Sequence, residues 1–297
     1  MRLPRRTFIQ ASLAAGAAGL AVHSASAFTL PDPSKKAQLK LSCQEGIAPG
    51  ESLAEKLDFM EKHGYTGLEV SGKGLPDRVA ELQKALKNRS IRMSAICAGY
   101  KGVIISEQES VRREAVDSMK ELLTAAGELG STGFIIVPAF NGQTTLGNKE
   151  ARDILVGLLG ELGGHAQAAK SRILLEPLNR KEAFFLRQLA DAAAICRDVN
   201  NPGICCMGDF WHMTWEETSD IGGIVSAGAY LHHMHIASRK TRKMPGDDAG
   251  DSYVDGFRGL KLIGYTDYVS LECGSVGDRK TTIPAAAKLL REQWEKA

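Results

Sequence analysis

The stretch 172-RILLEPLNRKEAFFLRQLADAAAICRDVNNPGICCMGDFWH-212 holds one complete structural unit of the chain. An apolar run of strand formers ends on Glu176. A helical pattern then runs from Leu186 to Val199, and a second strand-like run from Gly203 reaches Asp209. Each strand delivers a carboxylate at its far end. There an unpaired charge is costly unless a cation or a hydrogen-bond network meets it.

The same alternation extends in both directions. Upstream strands read at "LKLSCQE", "TGLEVSG", "SIRMSAICAG" and "TGFIIVPAF", and downstream ones at "YLHHMHIAS" and "DYVSLECG". The spacing predicts helices over Leu53 to His63, Asp77 to Asn88, Glu107 to Leu129, Lys149 to Lys170, Asp220 to Ala229, Gly256 to Ile263 and Thr282 to Glu295. Eight strands alternating with eight helices imply parallel strands joined by right-handed crossovers, the count of a closed (β/α)8 TIM barrel in the α/β class. An open doubly wound sheet is the competing fold. It would carry a glycine-rich phosphate loop after its first strand, and "SCQEGIAPGES" has no G-x-G-x-x-G.

Residues 1–27 read as a signal peptide. Arg5 and Arg6 stand before Phe8, a low-charge apolar run extends from Ala11 to Val22, and Ala25 and Ala27 give the small-residue pattern of a cleavage site. The run is too short to span a bilayer. The paired arginines resemble the twin-arginine signal, whose route exports folded proteins to the periplasm; an ordinary secretory leader is the other reading. Cleavage after Ala27 removes three arginines and no acid, moving the formal charge from +2 to −1 and leaving one barrel domain over 28–297. That near-neutral balance argues against a nucleic-acid partner, and no later stretch reaches membrane-spanning length. The six cysteines lack paired zinc-ribbon spacings and read as buried core residues, with one bridged pair left open.

In a barrel, the ends of strands five to eight present Glu176, Asp209, His235 and Glu272, separated by 33, 26 and 37 residues. Each gap is about one strand–helix unit, so four donors converge on one rim. Three carboxylates crowded at one rim repel one another unless a divalent metal sits among them, and the imidazole adds a fourth donor. The set has no thiolate, which favours Mn²⁺, Mg²⁺ or Co²⁺ and tolerates Zn²⁺. Glu69 and Glu45 end the second and first strands at the same rim, to touch substrate or to pair with a neighbouring Lys or Arg. His233 lies one layer deeper than His235 on the same strand face and is expected as a buried partner. Trp211 and Trp215 flank His212 and are expected either to stack on a sugar or to pack as walls.

The segments "LEPLNRKE", "GDFWH", "HMHIAS…RKMPG" and "GYTDYVSLECG" resemble the sugar isomerase and epimerase barrels related to xylose isomerase, above all the ketose 3-epimerase branch. The resemblance implies one divalent ion, Mn²⁺ foremost, held by Glu176, Asp209, His235 and Glu272, with Glu176 and Glu272 as the catalytic acid and base. It also implies that Glu182, His212 and Arg242 bind sugar oxygens. Arg242 stands one residue later than the branch pattern places its arginine, which leaves Arg239 as the alternative.

The implied activity is metal-dependent isomerisation or epimerisation of a non-phosphorylated sugar or sugar derivative by proton abstraction next to a carbonyl. A lyase acting on 3-keto-glycosides would use the same residues, and a non-catalytic sugar-binding barrel is the reading from another class. The expected partner is a small carbohydrate, and a homo-oligomer is compatible with the group.

Overall fold

The structure, a computed structural model, describes residues 36–297. The signal peptide expected over 1–27 lies outside the described residues. Eight parallel strands close into a barrel in sequence order: β1 Lys40–Gln44, β2 Gly67–Ser71, β3 Arg92–Cys97, β4 Phe134–Ile136, β5 Ile173–Leu175, β6 Ile204–Asp209, β7 Leu231–Ile236 and β8 Tyr268–Leu271. The seam is sealed by β1 on β8, with Ser42 paired to Ser270. The barrel expected from the alternation is therefore the observed fold.

Around it run α1 Leu53–Lys62, α2 Leu75–Leu86, α3 Glu109–Glu128, α4 Asn148–Ala168, α5 Leu189–Val199, α6 Phe210–Glu216, α7 Asp220–Ala227, α8 Val254–Leu262 and α9 Arg279–Lys296. Their starts follow local chemistry. Ser52 accepts the Glu55 N–H at 3.2 Å and Ser219 accepts the Gly222 N–H at 3.1 Å, each satisfying an orphan donor of a first turn.

Two departures from the sequence reading have clear causes. The run "GICCMGDFW" does not stay extended to Trp211. Asp209 ends the strand and caps α6 by accepting the Trp211 N–H at 2.8 Å, so Phe210, Trp211 and His212 lie on a helix. Strands β4 and β5 are three residues each and stop well before Phe140 and Asn179. Pro138 and Pro177 follow two residues after their ends, where a proline has no N–H to continue the ladder.

The main core lies between barrel and helices and takes the outward-facing strand residues, such as Ile173 and Leu175. The interior is divided. On the β3–β6 side Ala95, Ile135, Leu174, Cys205 and Met207 form a separate apolar cluster. On the other side the filling is polar. Ser42 meets Ser94 at 2.7 Å across the interior, and Glu69 on β2 reaches His233 on β7. All six cysteines are free; Cys43, Cys196, Cys205 and Cys206 are buried as expected, whereas Cys97 and Cys273 are half-buried, and no helix among the described residues is long and apolar enough to cross a membrane.

At the opposite end of β7, half-buried His232 sits 2.8 Å from Asp267. Burial works against its protonation, but the hydrogen bond to Asp267 prevails and raises it to about 9. A histidine raised on folding stabilises fully below its unfolded value near 6.5 and loses that contribution as pH rises through 9. Urea unfolding should therefore show on the order of 2 kcal/mol lost between those limits. Asp267→Asn should flatten this slope; an unchanged slope would assign the pH dependence elsewhere.

Candidate active site

Glu176, Asp209, His235 and Glu272 come together at the C-terminal mouth of the barrel. Each offers one ligand atom, and the four atoms lie within 4.8 Å of one another. Glu176 and Glu272 stand just past β5 and β8, and their N–H groups still donate to Ile136 and Ile236 carbonyls of the preceding strands. His235 Nδ1 lies 3.5 Å from Glu176 Oε1 and 3.2 Å from Glu272 Oε2. Asp209 commits Oδ1 to capping α6, which leaves Oδ2 facing the cluster.

This donor set fits a divalent cation on two grounds. Glu176 Oε1 and His235 Nδ1 are buried with no hydrogen-bond partner, and both belong to the four-donor group. Such orphans are rare, and a cation held by this group would satisfy both atoms. Second, with His235 as the neutral imidazole a cation requires, the group sets three carboxylates against one guanidinium, and a dication closes that balance. The electrostatics agree: burial pushes Asp209 up to about 6 and Glu176 upward as well. Burial also opposes ionisation of Glu272, but the His235 and Arg242 charges outweigh it and hold that carboxyl at about 2.

His235 is held from behind. Its Nε2 lies 3.0 Å and 3.1 Å from the two oxygens of fully buried Glu69. Glu69 also takes His233 Nε2 at 2.8 Å and Gln44 Nε2 at 2.8 Å, and Gln44 reaches on to Glu272 at 3.1 Å. A carboxylate behind a ligating imidazole fixes ring orientation and tautomer, here leaving Nδ1 toward the donor cluster. His233 is thus the buried partner expected from its position, acting through Glu69. Glu45 faces away and pairs with Arg78 at 2.8 Å and 3.0 Å. Gln44 was not singled out from the sequence, although the strand's period of two places it on the inward face with Ser42.

Of the residues expected to bind sugar oxygens, Arg242 reaches the site and Arg239 does not. Arg242 Nη2 lies 2.6 Å from Glu272 and 3.3 Å from Asp209, with Nη1 3.8 Å from Glu182 and the guanidinium 4.5 Å above the Trp211 ring. Its backbone is left-handed, φ 54°, an uncommon state for a residue with a side chain. Arg239 instead bonds Asp220 and the Phe210 carbonyl and stacks on Phe210 and Tyr253. His212 is buried, and its Nδ1 accepts from the Asn179 N–H at 3.1 Å and amide at 2.8 Å. That assignment leaves the proton on Nε2, 3.5 Å from Asp209. Asn179, which sequence reasoning missed, also donates to Glu182 at 2.9 Å, so one amide orients both residues.

Trp211 serves as the platform for Arg242, and Trp215 is 43% exposed with Lys181 4.6 Å over its ring. The walls expected of these tryptophans are therefore occupied by cations.

Comparison with known proteins agrees with this architecture. The 3-dehydro-D-guloside 4-epimerase of Escherichia coli (strain K12) is 28% identical over 243 residues, 79% of this chain and 92% of that protein. A D-psicose 3-epimerase of Agrobacterium fabrum is 33% identical over 226 residues, 73% of this chain and 77% of that one. The crystal structure of a 3-keto-D-glucoside 4-epimerase from E. coli superposes with a TM-score of 0.77 at 25% identity, covering 86% of this chain and 99% of that one. Residues 57–293 match a family model, and the chain belongs to the family it describes, the xylose isomerase-like TIM barrels.

Proposed function

We propose that the chain is a divalent-metal-dependent sugar epimerase that inverts a carbon next to a ketone in a non-phosphorylated sugar or sugar derivative. The observation that carries this reading is the pair Glu176 and Glu272, both within 4.8 Å of Asp209 and His235 in one cluster. The names of the relatives describe the same chemistry, since C3 of a 2-ketose and C4 of a 3-dehydro sugar each adjoin a carbonyl. They name inversion rather than elimination, so the lyase reading is not retained.

Glu176, Asp209, His235 and Glu272 would hold the cation, and Mn²⁺ suits this oxygen-rich set with one imidazole. When bound, the metal supplies a Lewis acid for the negative charge that develops on the sugar oxygens. The remaining steps belong to the side chains. One of the two glutamates takes the C–H proton from one face of the carbon, giving a planar enediolate, and the other returns a proton to the opposite face. His212, with its proton on Nε2, together with Arg242 and Glu182, would orient the hydroxyls around that carbon. The N-terminal residues support export to the periplasm in folded form, with residues 1–27 removed.

The test is solvent exchange. Purified protein loaded with Mn²⁺ should wash deuterium from D₂O into the carbon beside the ketone of D-psicose or of a 3-oxo-glucoside, with the inverted epimer appearing by NMR. Absence of exchange with both probes despite stoichiometric metal would overturn the reading.

A further inference from the structure

The cluster is walled on three sides. Toward β7, Arg242 lies on Trp211 among the carboxylates. Toward β1, Gln44 bridges Glu69 and Glu272, and beneath the cluster Glu69 and His233 fill the barrel. The fourth side differs. Beyond Glu176, toward β3 and β4, lies a cavity of about 250 Å³ whose lining includes Gly99, Tyr100, Val137, Phe140 and Gln143.

The backbone creates this space. Directly after β3, Ala98 and Gly99 are both left-handed, with φ 49° and 91°. A non-glycine residue in that region is strained by roughly 1–2 kcal/mol, and strain of this kind gathers at ligand sites. A Cβ on Gly99 would lie 2.2 Å from the Lys73 nitrogen, so only glycine allows the chain to bend there. Tyr100 then forms one wall, its hydroxyl donating to the Val137 carbonyl and its ring edge-on to Phe134.

Phe140 stands opposite, 44% exposed. The segment that carries it is pinned. Asn141 donates to the Glu182 carbonyl at 2.7 Å and to the Arg180 carbonyl at 3.1 Å, and Thr145 bonds Glu107. Gln143 Oε1 accepts the Phe140 N–H at 2.9 Å, which leaves its Nε2 without a protein acceptor among the described residues. An exposed aromatic on a fixed loop, a tyrosine wall and one amide donor suit the apolar face and hydroxyls of an uncharged sugar ring. No Lys or Arg lines the cavity, so an anionic group would find no counter-charge there.

We infer that this cavity seats the second ring of a glycosidic substrate, so that the preferred substrate is an oxidised two-ring glycoside rather than a free ketose. The inference rests on the epimerase reading for its chemistry, because Glu176 belongs both to the donor cluster and to the cavity lining.

Two measurements test it. The first compares kcat/KM for exchange into 3-oxo-cellobiose, oxidised on its non-reducing ring, and into methyl 3-oxo-glucoside. Wild type should favour the two-ring compound at least ~10-fold, about the discrimination a few apolar contacts supply. Phe140→Ala should cut that ratio about as much, and Gln143→Ala should cut it less. The second is calorimetric binding of unoxidised cellobiose and methyl glucoside, which needs no turnover. Cellobiose should bind more tightly, and Phe140→Ala should erase the difference. Equal handling of one-ring and two-ring compounds in both measurements would overturn the subsite. Phe140-dependent cellobiose binding without exchange would instead leave the subsite standing and sink the epimerase reading.

Discussion

Glu272→Gln should lower epimerisation by about 10³-fold or more with the protein still folded and saturated with Mn²⁺, and Glu176→Gln should do the same. A positioned acid or base contributes roughly 10²–10⁴-fold to a proton transfer, and each change also removes the charge of one cation donor. The two variants should differ in a second readout. With one carboxylate on each face, removing either blocks inversion but leaves the other able to withdraw a proton from its own side. Each variant should therefore retain slow deuterium washout from one epimer and none from the other, with the epimers exchanged between the two variants. The amide is isosteric, so normal Tm and metal content measured beside the rates exclude misfolding. Full epimerisation in either variant would remove that residue from the proton path. Loss of washout from both epimers in both variants would mean that the carboxylates act through the metal alone.

The four donors were legible because each sits at the end of its own strand–helix unit, so the barrel period alone brings them to one rim. What surrounds them was less legible, and the reasons are physical. The sequence "CQE" ends β1 with two polar residues, and composition does not say which faces inward; pairing with β2 and β8 puts Gln44 inside and sends Glu45 to Arg78. The choice between Arg239 and Arg242 fell inside a long loop that includes a left-handed residue, a backbone state that spacing does not encode. Helix α6 is seven residues long, too short to show a helical period, and its cap is the same Asp209 that serves the cluster. The carboxylate behind His235 comes from β2, 166 residues away in sequence, and becomes its neighbour only when the barrel closes.

That last contact carries the second large effect. Glu69→Gln should weaken Mn²⁺ binding about 10–100-fold, the usual consequence of removing the outer carboxylate from a metal-binding histidine. In wild type, burial opposes the Glu69 charge, but the His235 and His233 rings hold its carboxyl well below the usual range, so Nε2 of His235 meets an acceptor on both oxygens. With that acceptor present, the proton of a neutral His235 sits on Nε2 and the Nδ1 lone pair faces Glu176 and Glu272. Glutamine keeps the shape but replaces one acceptor oxygen with an N–H₂ that can turn toward the ring. The alternative tautomer then gains ground, and it puts a proton where the cation needs a lone pair. Calorimetric titration of metal-free protein reads this directly, without turnover. Gln44→Ala serves as the comparison, because it removes a different Glu69 contact and leaves the His235 acceptor in place, so its metal affinity should fall less. A Glu69→Gln protein with wild-type Mn²⁺ affinity and a lowered Tm would show that the buried carboxylate only ties β2 to β7. Weakened affinity at an unchanged Tm would show that a residue on the far side of the barrel sets which nitrogen of His235 is offered to the metal.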